Sequence, residues 1–186
     1  MCRLRRLNLS LAEQLEAGSR VEQTRALYGH VLLQAAMAAA VLGDQGRAGE
    51  LIAEARDVAR FVTAGSNHHR LAFEPTNVAL HEVGTLVALG DNGRAVKVAD
   101  EIGGERLHTL RKERRAALLV DTARACSQVG NRDEALRRLL AAEQVAAPEV
   151  RCRPVAQATI ADMLHRSRGM PALSLARLAE RAGVRP

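Results

Sequence analysis

The chain has 186 residues, a net charge of +6 and 47% hydrophobic residues, but aromatic residues make up only 2%. This length suits one domain that buries its own core, and the scarcity of aromatic residues argues against an all-β fold. The longest apolar run, Ala35–Leu42, is too short to cross a bilayer. We therefore expect no membrane partner.

The N-terminus and the cysteines indicate the cellular compartment. The first residues are basic but lack the apolar segment of a signal peptide. The chain has three cysteines, an odd number, which are far apart and lack the spacing of a metal site: Cys2, Cys126 and Cys152. We expect a cytoplasmic protein without disulfides, metal or cofactor, in which Cys126 is a small core residue.

In chain order, residues 1–20 are predicted to form an N-terminal extension or capping helix that ends at Gly18. Residues 21–186 are predicted to form one helical-repeat domain. Its first helix, Val21–Leu42, is apolar around nearly its whole circumference after Val31. An all-round apolar helix is typical of burial between two layers.

Three helical hairpins share one pattern, in which a turn glycine is followed five residues later by an alanine. Glycine tolerates the left-handed backbone that ends a helix, and alanine lets two helices approach closely. In the third hairpin, Asp133 is the predicted N-cap of the second helix. The three glycine–alanine pairs are Gly43 and Ala48, Gly90 and Ala95, and Gly130 and Ala135.

The remaining predicted elements follow from the positions of glycine, proline and the apolar stripes. They are helices Arg47–Thr63, Thr76–Leu89 and Gly93–Ile102, a long helix that begins near Leu110–Glu113, one helix from Pro148 to Arg166, and Ala172–Ala182. A polar loop, Gly65–Arg70, and a charged connection, Glu105–Glu113, link them.

The glycine–alanine spacing resembles the tetratricopeptide repeat, although the turns lie farther apart than that family's 34-residue period. The segments LYGHVLLQAAMAAAVLGD, FEPTNVALHEVGTLVALGD, RRAALLVDTARACSQVG and LARLAERAGV resemble the C-terminal tetratricopeptide-like region of actinobacterial helix-turn-helix transcriptional regulators. The resemblance covers Ala26–Val184 and implies an all-α superhelix of stacked hairpins. It also implies self-association as a homodimer and the sensing of a ligand or partner. Residues before Ala26 contain no helix-turn-helix, so DNA contact is expected only through a separate domain.

Equivalent positions on the first helices of the hairpins are polar and predict a ligand-binding groove for a peptide or small-molecule effector. The candidate groove residues are His30, Gln34, Asn77, His81, Asp121 and Arg124. Neighbouring apolar positions (Leu33, Leu80 and Val120) predict a ligand with an apolar body. The same residues are also compatible with an exposed polar face, with Asn77 as a cap and Asp121 paired to Arg124 within one helix.

Catalysis has little support, because the chain lacks the HExxH, glycine-rich and Walker patterns of metal and phosphate sites. We predict that the protein is not an enzyme. The favoured function is a regulatory or sensor module of a transcriptional regulator. The alternatives are a protein–protein interaction scaffold without a small ligand and, less favoured, a basic helical repeat that binds nucleic acid through its arginine clusters.

Overall fold

A computed structural model describes residues 2–63, 73–167 and 170–185. Within these residues it contains ten α-helices and no β-strand, which confirms the all-α class. In chain order the helices are α1 (Cys2–Val41), α2 (Gln45–Ala59), α3 (Pro75–Leu89), α4 (Asn92–Glu101), α5 (Gly104–Thr109), α6 (Lys112–Gln128), α7 (Arg132–Val145), α8 (Ala147–Arg151), α9 (Pro154–His165) and α10 (Leu173–Arg181). None of the described helices is both long enough and apolar enough to span a bilayer.

The three predicted turns share one backbone geometry. Gly43, Gly90 and Gly130 have φ values of 78°, 79° and 88°, which non-glycine residues rarely adopt. In each turn the next residue donates its backbone N–H to a carbonyl five residues back, at 2.9 Å. This is the Schellman closure of a helix, and it satisfies carbonyls that the helix end would leave unpaired.

The residue after each glycine caps the next helix. Asp44, Asp91 and Asn131 accept hydrogen bonds from the backbone N–H three residues later, at 2.9, 3.3 and 3.3 Å. The predicted cap at Asp133 is therefore wrong, because Asn131 already follows the turn directly and leaves Asp133 in the first turn of α7.

The structure divides into two compact units, residues 1–81 and 82–186. In the first unit α1 packs along α2, with Leu33, Ala36, Ala48 and Ala55 wholly buried. The ring of Phe73 lies directly on the backbone of Gly29: a Cβ atom built at Gly29 would stand 2.0 Å from its Cζ.

In the second unit α6 packs against α7, and α4, α8 and α9 also contact α6. The core of this unit joins five of its helices. Its largest fully buried side chains include Val120, Leu139, Ile160 and Leu178. Cys126 is buried in the same core, as predicted.

Several predicted boundaries differ from the structure. α1 is one helix that continues through Gly18, so a helix end at that residue is wrong. α1 is also buried on one side only, since Val31 and Val41 are 55% and 73% exposed. The predicted helix from Pro148 to Arg166 is two helices, because α8 ends at Arg151 and α9 restarts at Pro154.

The charged connection after α4 contains a helix of its own, α5, and Gly103 enters it with a φ of 71°. The polar loop predicted at Gly65–Arg70 lies outside the described residues.

Candidate functional site

Four of the predicted groove residues lie in the first unit. His30 on α1 is half-buried, and its Nδ1 atom is shielded from solvent without a hydrogen-bond partner. Gln34, one turn later, is exposed. On α3, Asn77 is buried, with 1% of its surface exposed, and His81 is half-buried.

The other two predicted residues lie in the second unit, on α6. Asp121 is half-buried and Arg124 is exposed. Desolvation by burial raises the pKa of the Asp121 carboxyl above its ordinary value. The positive charge of Arg153 opposes this rise more strongly than that of Arg124. Cations from two places therefore act on this carboxyl, Arg153 just before α9 and Arg124 on α6 itself.

The apolar positions predicted to line the groove do not all face outward. Leu33 and Val120 are wholly buried, with 0% of their surface exposed. Val120 belongs to the core that joins five helices of the second unit, and Leu33 is one of the wholly buried residues of α1. Leu80 is half-buried.

The second unit contains a cavity of about 250 Å³ that sequence analysis did not predict. Four helices and the turn before α5 surround it. The lining residues are Ala99, Asp100, Gly103, Gly104, Leu107, Leu118, Leu119, Thr122, Glu134 and Arg138. Most of them are apolar or glycine, and the charged groups all come from α4 and α7.

These charged groups form an ion-pair cluster (Asp100, Glu134 and Arg138), which we call the rim. The Arg138 Nε atom donates to Glu134 Oε1 at 2.7 Å, and its Nη2 atom donates to Asp100 Oδ1 at 2.7 Å. The Arg138 side chain is only 14% exposed. Burial works against its charge, but the hydrogen bonds to Asp100 and Glu134 outweigh this and raise the pKa of Arg138. The guanidinium therefore stays charged and ties α4 to α7.

The rest of the lining is mostly apolar. Leu107, Leu118 and Leu119 contribute to it, and the Thr122 hydroxyl donates to the Leu118 carbonyl at 2.8 Å, within its own helix. A Cβ atom built at Gly104 would meet no heavy atom within 4 Å. The lack of a side chain at Gly104 therefore leaves space beside the cavity.

Two cysteine side chains are described, one of them buried and one exposed. Burial raises the pKa of the Cys126 thiol, which keeps it protonated at neutral pH. Cys152 is exposed at the end of α8. No group of three or more His, Cys, Asp or Glu side chains is arranged to hold a metal ion within the described residues.

The ion pair between Glu134 and Arg138 could be predicted from the sequence, because the two residues are four positions apart on one helix. The bond from Arg138 to Asp100 could not, since it depends on how α4 packs beside α6 and α7. The Gly103-Gly104 pair predicts the end of a helix but not the space that Gly104 leaves beside the cavity.

No protein-family model, curated protein or solved structure matches this chain.

Proposed function

We propose that this chain is a non-enzymatic binding module of the tetratricopeptide-like type, and that it takes a small molecule in the cavity of residues 82–186. The observation that carries this proposal is the cavity itself, with its leucine wall and charged rim. Binding pockets are typically lined by apolar side chains with a few convergent polar groups that orient the ligand.

The lining favours a compact ligand with an apolar body and one polar group. Leu107, Leu118 and Leu119 offer apolar contact. At the rim, the Asp100 carboxylate is 59% exposed, so it remains available to a donor on the ligand. The cavity volume lies just below the usual range of ligand pockets, roughly 300–1,000 Å³, which favours a small ligand.

The three repeated glycine turns support the helical-repeat part of the proposal. Each turn joins a Schellman closure to a side-chain cap, and the alanines at positions 48, 95 and 135 are wholly buried. Stacked units of this kind present surfaces on which partners bind. We further propose that the chain serves a transcriptional regulator in the cytoplasm, that it self-associates, and that any DNA contact comes from a separate domain.

The predicted groove residues of the first unit, His30, Gln34, Asn77 and His81, are a second candidate site for a peptide or small-molecule effector. The shielded Nδ1 atom of His30 favours this alternative, because a buried ring nitrogen without a partner needs an explanation and a bound ligand would supply the missing hydrogen bond. A ligand that binds there would perturb His30 and leave the cavity leucines unchanged.

Methyl-labelled NMR tests where a ligand binds. We expect small apolar fragments that carry one donor group to shift the methyl signals of Leu107, Leu118 and Leu119 in a saturable way. Gly104→Leu places a side chain beside the cavity and should abolish these shifts. Gly49→Leu is the matched control, because a Cβ at Gly49 on α2 also meets nothing within 4 Å. Shifts that persist in Gly104→Leu would refute the proposed site.

A further inference from the structure

One face of α1 is apolar and exposed. Leu27, Val31 and Val41 have 49%, 55% and 73% of their surface exposed, and Ala38 between them is exposed as well. From Ala26 to Gly43 the sequence contains no Asp, Glu, Lys or Arg. Soluble helices normally carry charged side chains on an exposed face, so this face needs an explanation.

Arg25 and Tyr28 of this stretch are exposed too, but the other six exposed positions follow a heptad. They are Thr24, Leu27, Val31, Gln34, Ala38 and Val41, separated by alternating steps of three and four residues. This spacing is that of the contact positions of a coiled coil, in which side chains of one helix insert between those of another. The face, which we call the α1 ridge, therefore has the geometry of a helix–helix interface.

The spacing of the ridge positions is the same whether it is counted from the N-terminal or the C-terminal end. When a copy of α1 is turned end to end about a point between Leu32 and Leu33, every ridge position meets a ridge position. The resulting layers pair Thr24 with Val41, Leu27 with Ala38, and Val31 with Gln34. A large side chain meets a small one in the Leu27 layer, which favours close packing.

We propose that the α1 ridge is the homodimer interface, packed antiparallel against the same ridge of a second copy. In this pairing Arg20 comes level with Gln45 of the second copy, next to Asp44, so a positive and a negative side chain approach each other at both ends. Gln34 and its copy lie in the two central layers, about 4.5 Å apart along the helix axis, so their amides can bond to each other and favour this register. The inference rests on the self-association proposed above and names the surface responsible for it.

The size of the interface sets the expected affinity. The ridge from Thr24 to Val41 is about 26 Å long at 1.5 Å per residue. A single helix pair of this length lies at the low end of specific interfaces. We therefore expect a dimer with a Kd in the micromolar range.

Cysteine cross-linking of the full chain tests the pairing. In a background with Cys2→Ser and Cys152→Ser, Leu27→Cys protein mixed with Ala38→Cys protein should form a disulfide-linked heterodimer. Neither variant should cross-link alone, because like positions are about 16 Å apart along the helix axis. Cross-linking of Leu27→Cys with itself, or the absence of the heterodimer, would overturn the antiparallel pairing.

Sedimentation separates this inference from self-association in general. The native chain should be dimeric at high concentration, and Val31→Glu should be monomeric. Leu173→Glu is the matched control, since Leu173 on α10 is also exposed, at 66%. A dimer that survives Val31→Glu would overturn the ridge but retain self-association. A native chain that stays monomeric up to roughly 1 mM would overturn both self-association and the ridge pairing. The ridge would then be a binding surface for a different protein.

Discussion

Two hairpins with the same turn chemistry have very different surroundings. α1–α2 and α6–α7 are both closed by a glycine with positive φ and capped by the next residue. α6 is packed by α4, α8 and α9 as well as by α7. α1 buries one side in its unit and leaves an apolar ridge exposed. The turn signal therefore specifies a hairpin, and the neighbouring helices decide which of its faces are buried.

The largest expected effect contrasts a core leucine with a ridge leucine. Leu139→Ala removes a side chain that is wholly buried in the second unit, and such truncations cost about 2–5 kcal/mol. Leu27→Ala, on the ridge, should cost about 0.5 kcal/mol or less in dilute protein. Urea denaturation of both variants measures the difference. Equal losses would show that α1 is as covered as α6–α7.

The second effect concerns the contact that holds Phe73 on α1. Gly29→Ala should lower the free energy of unfolding by about 1–3 kcal/mol, because the new methyl group overlaps the phenyl ring. Gly49→Ala, which meets no neighbour, should raise it by about 0.5–1 kcal/mol through helix propensity. Thermal unfolding compares the two, and Phe73→Leu should partly rescue Gly29→Ala. A stabilising Gly29→Ala would contradict the packing.

A smaller effect separates the true cap of α7 from the predicted one. Asn131→Ala should cost about 1 kcal/mol, because the N–H of Glu134 loses its acceptor. Asp133→Ala removes only a charge in the first turn, worth about 0.3 kcal/mol. Chemical denaturation of both variants checks the order, and the reverse order would restore Asp133 as the cap.

The smallest expected effect is a pH dependence confined to the second unit. The Glu143 carboxylate on α7 accepts hydrogen bonds from Arg181 on α10, at 2.6 and 2.8 Å, and from Arg151. The bonds from Arg181 are the main cause that lowers the pKa of Glu143 below its ordinary value of 4.5. A lowered pKa means that the pairing stabilises the fold above pH 4.5 and that this stability is lost as the pH falls further. Solvent around the partly exposed Arg181 keeps the effect small.

Glu143→Gln tests that dependence. The thermal midpoints of the native chain and of Glu143→Gln should differ at neutral pH and converge below pH 4.5. Asp162→Asn is a control, because Asp162 pairs with Arg166 within one turn and does not connect two helices. A constant difference down to acidic pH would contradict the role of the Glu143 charge.

Local elements followed from the sequence where a single residue type decides the backbone. Gly43, Gly90 and Gly130 located the hairpin turns, and the buried alanines after them were also readable. Predicted helix boundaries were wrong where a helix-breaking residue lies within an otherwise helical sequence. Gly18 alone does not end α1, since a lone glycine weakens a helix by only about 1 kcal/mol.

The candidate cavity could not be predicted from the sequence, because contacts between separate helices form it. Its rim joins Asp100 to Arg138 across two helices, and its lining includes Gly104 and Leu107 of α5, a helix that the sequence did not predict. Periodicity likewise shows that Val31 and Val120 are apolar but not which of them is covered. Val120 is buried because α4, α7, α8 and α9 pack around α6, whereas Val31 lies on the face of α1 that stays exposed.

The central claim is that the cavity of residues 82–186 binds a small ligand. Isothermal titration of the best NMR fragment into the native chain, Gly104→Leu and Gly49→Leu tests it most directly. We predict one saturable site in the native chain and in Gly49→Leu, with at least about a tenfold loss of affinity in Gly104→Leu, equivalent to about 1.4 kcal/mol. Equal affinity in all three proteins would contradict it.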